Sequence, residues 1–202
     1  MSRVNITLSN VKNYFYLQLL SSSSKVDAFK CSIAEYNDYI VNDAHRSMND
    51  YIALTWLLTE RKTDNIAAYM SLIMDAIKLS FTEKELHHLN YPFRTIPAMK
   101  IAKLAVDQNF VEKYKGIGTF MINSAESFAE ACNSTYCACR FLTVDACYSA
   151  TPNSLGVLPM AKLHEYMCGV CEANSKLKDV SLLAELYNKS RKTISMRKDI
   201  YK

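Results

Sequence analysis

The pattern of apolar and polar positions divides the first half of the chain into strands, a helix and a hairpin. Runs rich in Val, Ile, Tyr and Leu predict strands at residues 4–8 and 14–20. Apolar residues recur at helical spacing from 32 to 48, which predicts a helix with Ser32 as N-cap and Glu35 completing a capping box. Two apolar runs, 51–59 and 66–74, flank a polar turn and predict a β-hairpin.

The second half continues the mixed order of elements. Residues 76–89 are ambiguous, although Thr82 and Glu85 would cap a short helix there, and Pro92 and Pro97 bracket a loop. The remaining apolar patterns predict strands at 99–106, 139–147, 182–187 and 193–201, and helices at 117–132 and 155–171. This order predicts an α/β or α+β fold, with residues 1–202 forming a single domain around one mixed, twisted central sheet.

Composition limits the class of protein. The chain has 202 residues, of which 50% are hydrophobic and 22% charged, which excludes a disordered chain and suffices for one core. No apolar run reaches the roughly 18–20 residues of a membrane helix, and the N-terminus has no stretch of signal-peptide type. We therefore expect a soluble, cytoplasmic protein that does not enter a membrane.

The cysteines predict reduced thiols and no metal site. Seven cysteines, an odd number, suit a reducing compartment. Cys168 and Cys171 form a C-x-x-C pair, but Cys137-x-Cys139 is a poor second half for a four-ligand zinc site. Small buried thiols are the better interpretation.

Positive charge is concentrated at the C-terminal end. The net charge is +4, and residues 176–202 alone carry eight Lys or Arg against three Asp or Glu. Such a segment can meet RNA or another polyanion, although a solvated surface is the more common explanation.

The most site-like stretch is KYKGIGT, residues 113–119. It lies between a predicted strand and a predicted helix, and it holds two of the only four glycines in the chain, Gly116 and Gly118. Glycines let the backbone approach a ligand, and the first N–H groups of a helix attract phosphate oxygens. Lys113 and Lys115 add positive charge and Thr119 a hydroxyl. A plain structural turn is the alternative, and the spacing fits neither a Walker loop nor a dinucleotide-binding fingerprint.

Several segments, in order, resemble the GNAT superfamily of acyl-CoA-dependent N-acyltransferases, and in particular a bacterial, toxin-like subgroup. The matching segments are FKC from residue 29, YNDY from 36, NDA from 42, LAVD from 104, KYKGIG from 113, RFLTVDA from 140 and TISM from 193. Three departures stand out: Lys113 replaces the family's Gln or Arg, the loop before Gly116 is about two residues longer, and the family's late tyrosine motif is not cleanly present.

The resemblance implies a cofactor, acetyl-CoA, and a set of residues that hold it. Backbone groups of the strand at 102–106, with Leu104, Ala105 and Val106, would bind the pantetheine. The pyrophosphate would lie on Lys113 and on the N–H groups of the loop, which are those of Tyr114, Lys115, Gly116, Ile117, Gly118 and Thr119. An amine would attack the thioester directly while a base or a water chain takes its proton.

The resemblance also implies that a tyrosine protonates the leaving thiolate. Tyr166, in the segment EYMCG, is the nearest match to the family motif, and Tyr148 is a rival because it follows RFLTVDA closely. With thirteen tyrosines in the chain, packing is the default role for any one of them. Asp145, inside an apolar strand, would either shape the acceptor site or serve a structural role.

Three functions follow as hypotheses. The first is an N-acetyltransferase that acts on a primary amine of a small molecule, a protein or an aminoacyl-tRNA, works as a monomer or homodimer, and has a tRNA or an antitoxin as a partner. The second is a catalytically degenerate GNAT-fold protein that binds acyl-CoA or a partner without transfer. The third is an RNA-binding domain that uses residues 176–202.

Overall fold

The computed structural model describes residues 3–147 and 193–201. Across these ranges the strands are β1 (Val4–Asn5), β2 (Phe15–Leu19), β3 (Leu54–Glu60), β4 (Ile66–Lys78), β5 (Thr95–Val106), β6 (Tyr114–Lys115), β7 (Phe141–Cys147) and β8 (Thr193–Asp199). The helices are α1 (Val11–Tyr14), α2 (Ala34–Asp38), α3 (Ala44–Asn49), α4 (Phe81–Leu86), α5 (Gln108–Lys113) and α6 (Ile117–Thr135). The predictions at 155–171 and 182–187 lie outside the described residues.

Six strands form one mixed sheet, in the order β2-β3-β4-β5-β7-β8, and helices flank it. The predicted hairpin is confirmed: β3 and β4 pair antiparallel, with a bulge between Leu58 and Thr59. Strand β2 pairs antiparallel with β3, and β8 with β7. A separate two-stranded sheet joins β1 and β6 in parallel. The predicted fold class, a mixed α/β domain with helices around a central sheet, is confirmed.

The described chain groups into two compact units. The first consists of residues 3–73 with Ile101–Phe128, and its core contains residues from several strands and helices. Ile40 and Ala44 on the helical segment and Leu57 and Tyr69 on the sheet are fully buried together. The Tyr69 hydroxyl donates to the Tyr36 carbonyl oxygen at 2.8 Å, so the largest side chain of this core leaves no polar atom unsatisfied.

The second unit consists of Met74–Lys100 with residues 129–147 and 193–201. Its apolar core includes Ile96, Ala98 and Phe141. A buried ion cluster lies beside this core: Asp199, with 5% of its side chain exposed, contacts His87 Nδ1 at 2.8 Å and Arg140 Nε at 2.8 Å. This cluster joins α4 to the ends of β7 and β8.

Local capping differs from the sequence prediction in both helices for which caps were named. The segment at 34–49 is helical as predicted but contains a π-helical stretch, Tyr39–Asp43, and no side chain caps it, so Ser32 is not its N-cap. Helix α4 has a capping box, but Ser80 and Glu83 form it rather than Thr82 and Glu85. Both sets fit the same S/T-x-x-E pattern, and the preceding strand decides which one starts the helix.

Two further local predictions are wrong. Pro97 lies within β5 rather than in a loop, and the stretch expected as a loop after Asp107 folds into the short helix α5. Strand β5 is therefore longer at its start than the apolar run alone indicated.

Candidate cofactor site

The strand that leads into the site ends at a buried aspartate. In β5 the side chains of Ile101 and Ala105 are buried, and those of Leu104 and Val106 are half-buried. Asp107, 2% exposed, accepts hydrogen bonds from the N–H groups of Asn109 at 2.9 Å and Lys30 at 2.8 Å. One carboxylate thus caps helix α5 and ties the end of β5 to the residue 29–31 segment.

Helix α5 replaces an open loop and positions Tyr114. Phe110 is 4% exposed, and its ring stacks on that of Tyr114, with centroids 6.1 Å apart. Tyr114 also meets the edge of Phe15 at 5.0 Å and donates its hydroxyl to Glu60 at 3.1 Å. Burial, reinforced by the hydrogen bond to Glu60, raises the pKa of Tyr114. The side chain of Tyr114 is therefore part of the scaffold, and only its backbone is available to a ligand.

Strand β1 covers one side of the loop. It pairs in parallel with β6, Val4 opposite Tyr114 and Asn5 opposite Lys115, and the Ile6 N–H donates to the Lys115 carbonyl at 2.7 Å. Ile6 itself is 5% exposed. The two residues before the glycines are thus held in an extended conformation by the N-terminus of the chain.

Gly116 has a conformation that other residues rarely adopt. Its φ is +92°, and a Cβ built on it would lie 2.6 Å from the Ile6 carbonyl oxygen. Gly118 is different, since an added Cβ would lie in ordinary contact with Val106 Cγ2 at 3.8 Å. The chain turn therefore requires glycine at position 116 for two independent reasons, whereas position 118 tolerates a small side chain sterically.

The turn ends in the N-terminus of a long helix. The Phe120 N–H donates to the Gly116 carbonyl at 2.9 Å, which is the first rung of the α6 ladder. The N–H groups of Ile117, Gly118 and Thr119 precede that rung and carry the positive end of the helix dipole. Ile117 is 2% exposed and anchors the first turn, while Thr119 is exposed. This arrangement is suited to binding phosphate oxygens.

The two lysines of the loop have different surroundings. The Lys113 ammonium lies over the Phe110 ring, 5.6 Å from its centroid, at the last residue of α5. Lys115 is exposed on β6. Both side chains add positive charge at the edge of the helix N-terminus, and Lys115 is the less constrained of the two.

No protein-family model and no curated protein matches the chain. Solved structures do match. The AtaTR complex bound to acetyl-CoA superposes with a TM-score of 0.63 at 12% identity, covering 94% of this chain and 95% of that one. AtaT complexed with acetyl-methionyl-tRNAfMet gives 0.61 at 13%, covering 93% and 95%. A KacT mutant gives 0.60 at 15%, covering 74% and 85%. The chain has the GNAT fold.

This GNAT-fold chain brings most of the predicted cofactor residues together in its first unit. The end of β5, with Leu104, Ala105 and Val106, leads through α5 and β6 to the glycine turn, and Gly118 lies beside Val106. Tyr148 and Tyr166 lie outside the described residues. Their roles therefore remain predictions.

Asp145 is not the buried carboxylate that its apolar strand suggested. Its side chain is 36% exposed and pairs with Lys100 Nζ at 2.6 Å. On the neighbouring part of the sheet, the Thr143 hydroxyl donates to Asp75 at 3.0 Å. These residues form polar contacts on the sheet surface of the second unit.

The strand predicted at residues 4–8 is present but shorter, since β1 spans only Val4–Asn5, and neither its pairing with β6 nor the hydrogen bond from the Ile6 N–H to Lys115 was predicted. Nothing in MSRVNITLSN marks β1 as the partner of a loop more than a hundred residues later. The role of Asp107 is easier to recognise from the sequence, since a carboxylate directly after an apolar strand is a common helix N-cap.

Within residues 3–147 and 193–201, no three His, Cys, Asp or Glu side chains are arranged to hold a metal ion. No helix in this part of the chain has the length and apolar character needed to cross a membrane.

Proposed function

We propose that this chain is an N-acetyltransferase that moves the acetyl group of acetyl-CoA directly to a primary amine. The observation that supports the proposal most is the glycine turn at the start of α6, which follows, after α5 and β6, the strand that the GNAT fold uses for its cofactor. A positive-φ glycine followed by three N–H groups ahead of the helix ladder fits a pyrophosphate.

The contacts narrow the proposed set of cofactor residues. Within the predicted run from Lys113 to Thr119, the N–H groups of Ile117, Gly118 and Thr119 are the ones that precede the first hydrogen bond of the α6 ladder, from the Phe120 N–H to the Gly116 carbonyl. We assign the pyrophosphate to the N–H groups of Ile117, Gly118 and Thr119, with Lys113 and Lys115 supplying charge. Backbone groups of Leu104, Ala105 and Val106 would hold the pantetheine arm.

Bound acetyl-CoA would supply an activated thioester. Residues of the chain would orient the thioester, polarise its carbonyl group, and accept or donate the protons of the reaction. Strand N–H groups near the end of β5 would stabilise the oxyanion, because fixed dipoles are effective in a site shielded from water. Tyr166 or Tyr148 would donate the proton that the leaving thiolate takes up.

For the acceptor we propose the amino group of an aminoacyl-tRNA, and for the partner an antitoxin. Among the structural neighbours, AtaT is complexed with acetyl-methionyl-tRNAfMet and also with the C-terminus of the antitoxin AtaR, and KacTA forms a complex with DNA. The eight basic residues between 176 and 202 of this chain give a polyanion an electrostatic target.

The test has two arms. Calorimetric titration with acetyl-CoA measures binding, and release of the CoA thiol measures turnover with a panel of small amines, peptides and aminoacyl-tRNAs. The proposal predicts micromolar binding and turnover with aminoacyl-tRNA. Binding without turnover on the whole panel would favour the catalytically degenerate alternative, and no binding at millimolar acetyl-CoA would overturn both.

A further inference from the structure

Three thiols converge where helix α6 ends and the chain turns towards β7. Cys132 lies in the last turn of α6, and Cys137 and Cys139 follow the helix end at Thr135. All three are free thiols; Cys137 is exposed, Cys132 half-buried and Cys139 buried. They belong to the second unit, whereas the proposed cofactor residues belong to the first.

The helix end brings Cys132 and Cys137 into contact. The Cys132 carbonyl accepts both the Tyr136 N–H at 2.9 Å and the Cys137 N–H at 3.0 Å. The second bond closes a six-residue turn of the kind that places the side chains of its first and last residues against each other. Such a turn brings its first and last residues close together, and a disulfide spans Cα atoms about 4.4–6.8 Å apart. Burial first, and then the neighbouring Cys137 thiol, raise the pKa of the Cys132 thiol.

Cys139 is kept out of this pair. Asn133 clamps its backbone, accepting the Cys139 N–H at 2.6 Å and donating to the Cys139 carbonyl at 2.7 Å. The Cys139 thiol is 1% exposed and contacts the Phe141 carbonyl at 3.5 Å. Burial raises its pKa to about 11, so it stays protonated and unreactive at neutral pH.

We propose that Cys132 and Cys137 form a redox-reactive dithiol that a hydroperoxide converts to an intramolecular disulfide. The exposed Cys137 thiolate attacks one peroxide oxygen; the S–O bond forms, the O–O bond breaks, and the leaving oxygen takes up a proton. The Cys132 sulfur then attacks the sulfenic acid on Cys137, the S–S bond forms, and water leaves with the proton of the Cys132 thiol. Two thiols and one hydrogen peroxide thus give one disulfide and two waters.

Differential labelling of the full chain tests this directly. After treatment with hydrogen peroxide, free thiols are alkylated with iodoacetamide, disulfides are reduced, and the released thiols are labelled with N-ethylmaleimide. Trypsin leaves all three cysteines on one peptide, residues 116–140, which has no internal Lys or Arg. We expect N-ethylmaleimide on Cys132 and Cys137 and iodoacetamide on Cys139, with dithiothreitol returning all three to thiols.

Serine variants provide the controls. Cys139→Ser, and Cys31→Ser at a buried thiol of the first unit, retain the disulfide, whereas Cys132→Ser and Cys137→Ser abolish it. Overoxidation of Cys137 while Cys132 stays a thiol, a bond between Cys137 and Cys139, or a disulfide only between two chains would each overturn the proposal. The labelling of the unsubstituted chain decides the question even if a variant does not fold.

Discussion

The turn at Gly116 depends on the absence of a single Cβ. Because φ is +92° and the added atom would lie 2.6 Å from a backbone oxygen, we expect Gly116→Ala to lower the free energy of unfolding by about 1–3 kcal/mol. Gly118→Ala is the matched control, since its Cβ meets only Val106 at 3.8 Å. Urea denaturation measures both variants, and equal midpoints would show that position 116 does not need glycine.

At position 118, two substitutions separate the effect of side-chain charge from the effect of side-chain size. We expect Gly118→Asp to weaken acetyl-CoA binding at least about tenfold, because a carboxylate would lie in the first turn of α6 near the proposed pyrophosphate. Gly118→Asn has nearly the same volume without the charge and serves as the control. Calorimetry compares the two dissociation constants. Equal weakening by Asp and Asn would mean that volume, and not anion binding, matters there.

Asp199 links stability to pH in the second unit. Burial alone would raise its pKa, but hydrogen bonds from Arg140, the Tyr201 N–H and His87 outweigh burial and lower the pKa from its ordinary value of 3.8. A carboxyl with a lowered pKa stabilises the fold above the unfolded-state value, and this stabilisation is lost as pH falls through the folded-state value.

We therefore expect Asp199→Asn to cost about 3 kcal/mol at pH 7, because Arg140 loses the partner of a mostly buried ion pair. The difference in unfolding free energy between the two proteins shrinks as the pH falls from above the ordinary Asp pKa of 3.8 through the lowered folded-state pKa of Asp199. Urea titrations of both proteins at several pH values measure this difference in unfolding free energy. A difference that stays constant with pH would assign the cost to packing rather than to charge.

At the scale of whole elements, the two-residue strand β1 supports the loop of the proposed cofactor site by pairing with β6. We expect Ile6→Pro, which removes the N–H that donates to Lys115, to weaken acetyl-CoA binding about five- to tenfold, since the β6 backbone loses a buried hydrogen bond. Ile6→Val keeps the N–H and most of the apolar volume. Steady-state kinetics with the two variants should show a raised KM for acetyl-CoA and a preserved kcat only in Ile6→Pro.

Element types were more predictable than their ends. The hairpin β3–β4 and helix α6 follow from patterns of apolar residues over many positions. The cap of α4 and the helix α5 depend on single side chains. Ser80 competes with Thr82 for the same role, and α5 exists because Asp107 is held at the end of β5 by the Lys30 N–H, a partner 77 residues away.

Across the whole molecule, the basic residues of segment 176–202 do not all have the same role, because Arg197 is held in a structural ion pair. Arg197 is committed to Glu83, at 2.7 Å and with 13% of its side chain exposed, and its guanidinium lies 5.8 Å from the Phe141 ring centroid. The arginine therefore stabilises the second unit. A polyanion that bound this segment would therefore not rely on Arg197.

We expect the double substitution Lys189→Glu and Lys192→Glu to weaken tRNA binding and to reduce its salt dependence, the slope of log K against log salt falling by about 2. Acetyl-CoA binding should not change. Filter binding over a salt series measures the slope. An unchanged slope would show that these lysines make no phosphate contacts.

The sequence alone determined the fold class and the place of the candidate site. Apolar periodicity and the ordered segments from FKC to TISM are local patterns, in which nearby residues favour strand, helix or turn. The two neighbouring glycines marked the proposed cofactor loop in the same way. The tertiary structure alone decided the pairing of β1 with β6 and the contact of Phe15 with Tyr114 beside that loop, and, within the second unit, the His87–Asp199–Arg140 cluster. These contacts join residues from about 60 to more than 110 positions apart, and no local pattern encodes which distant partner a buried polar group or a short strand will meet.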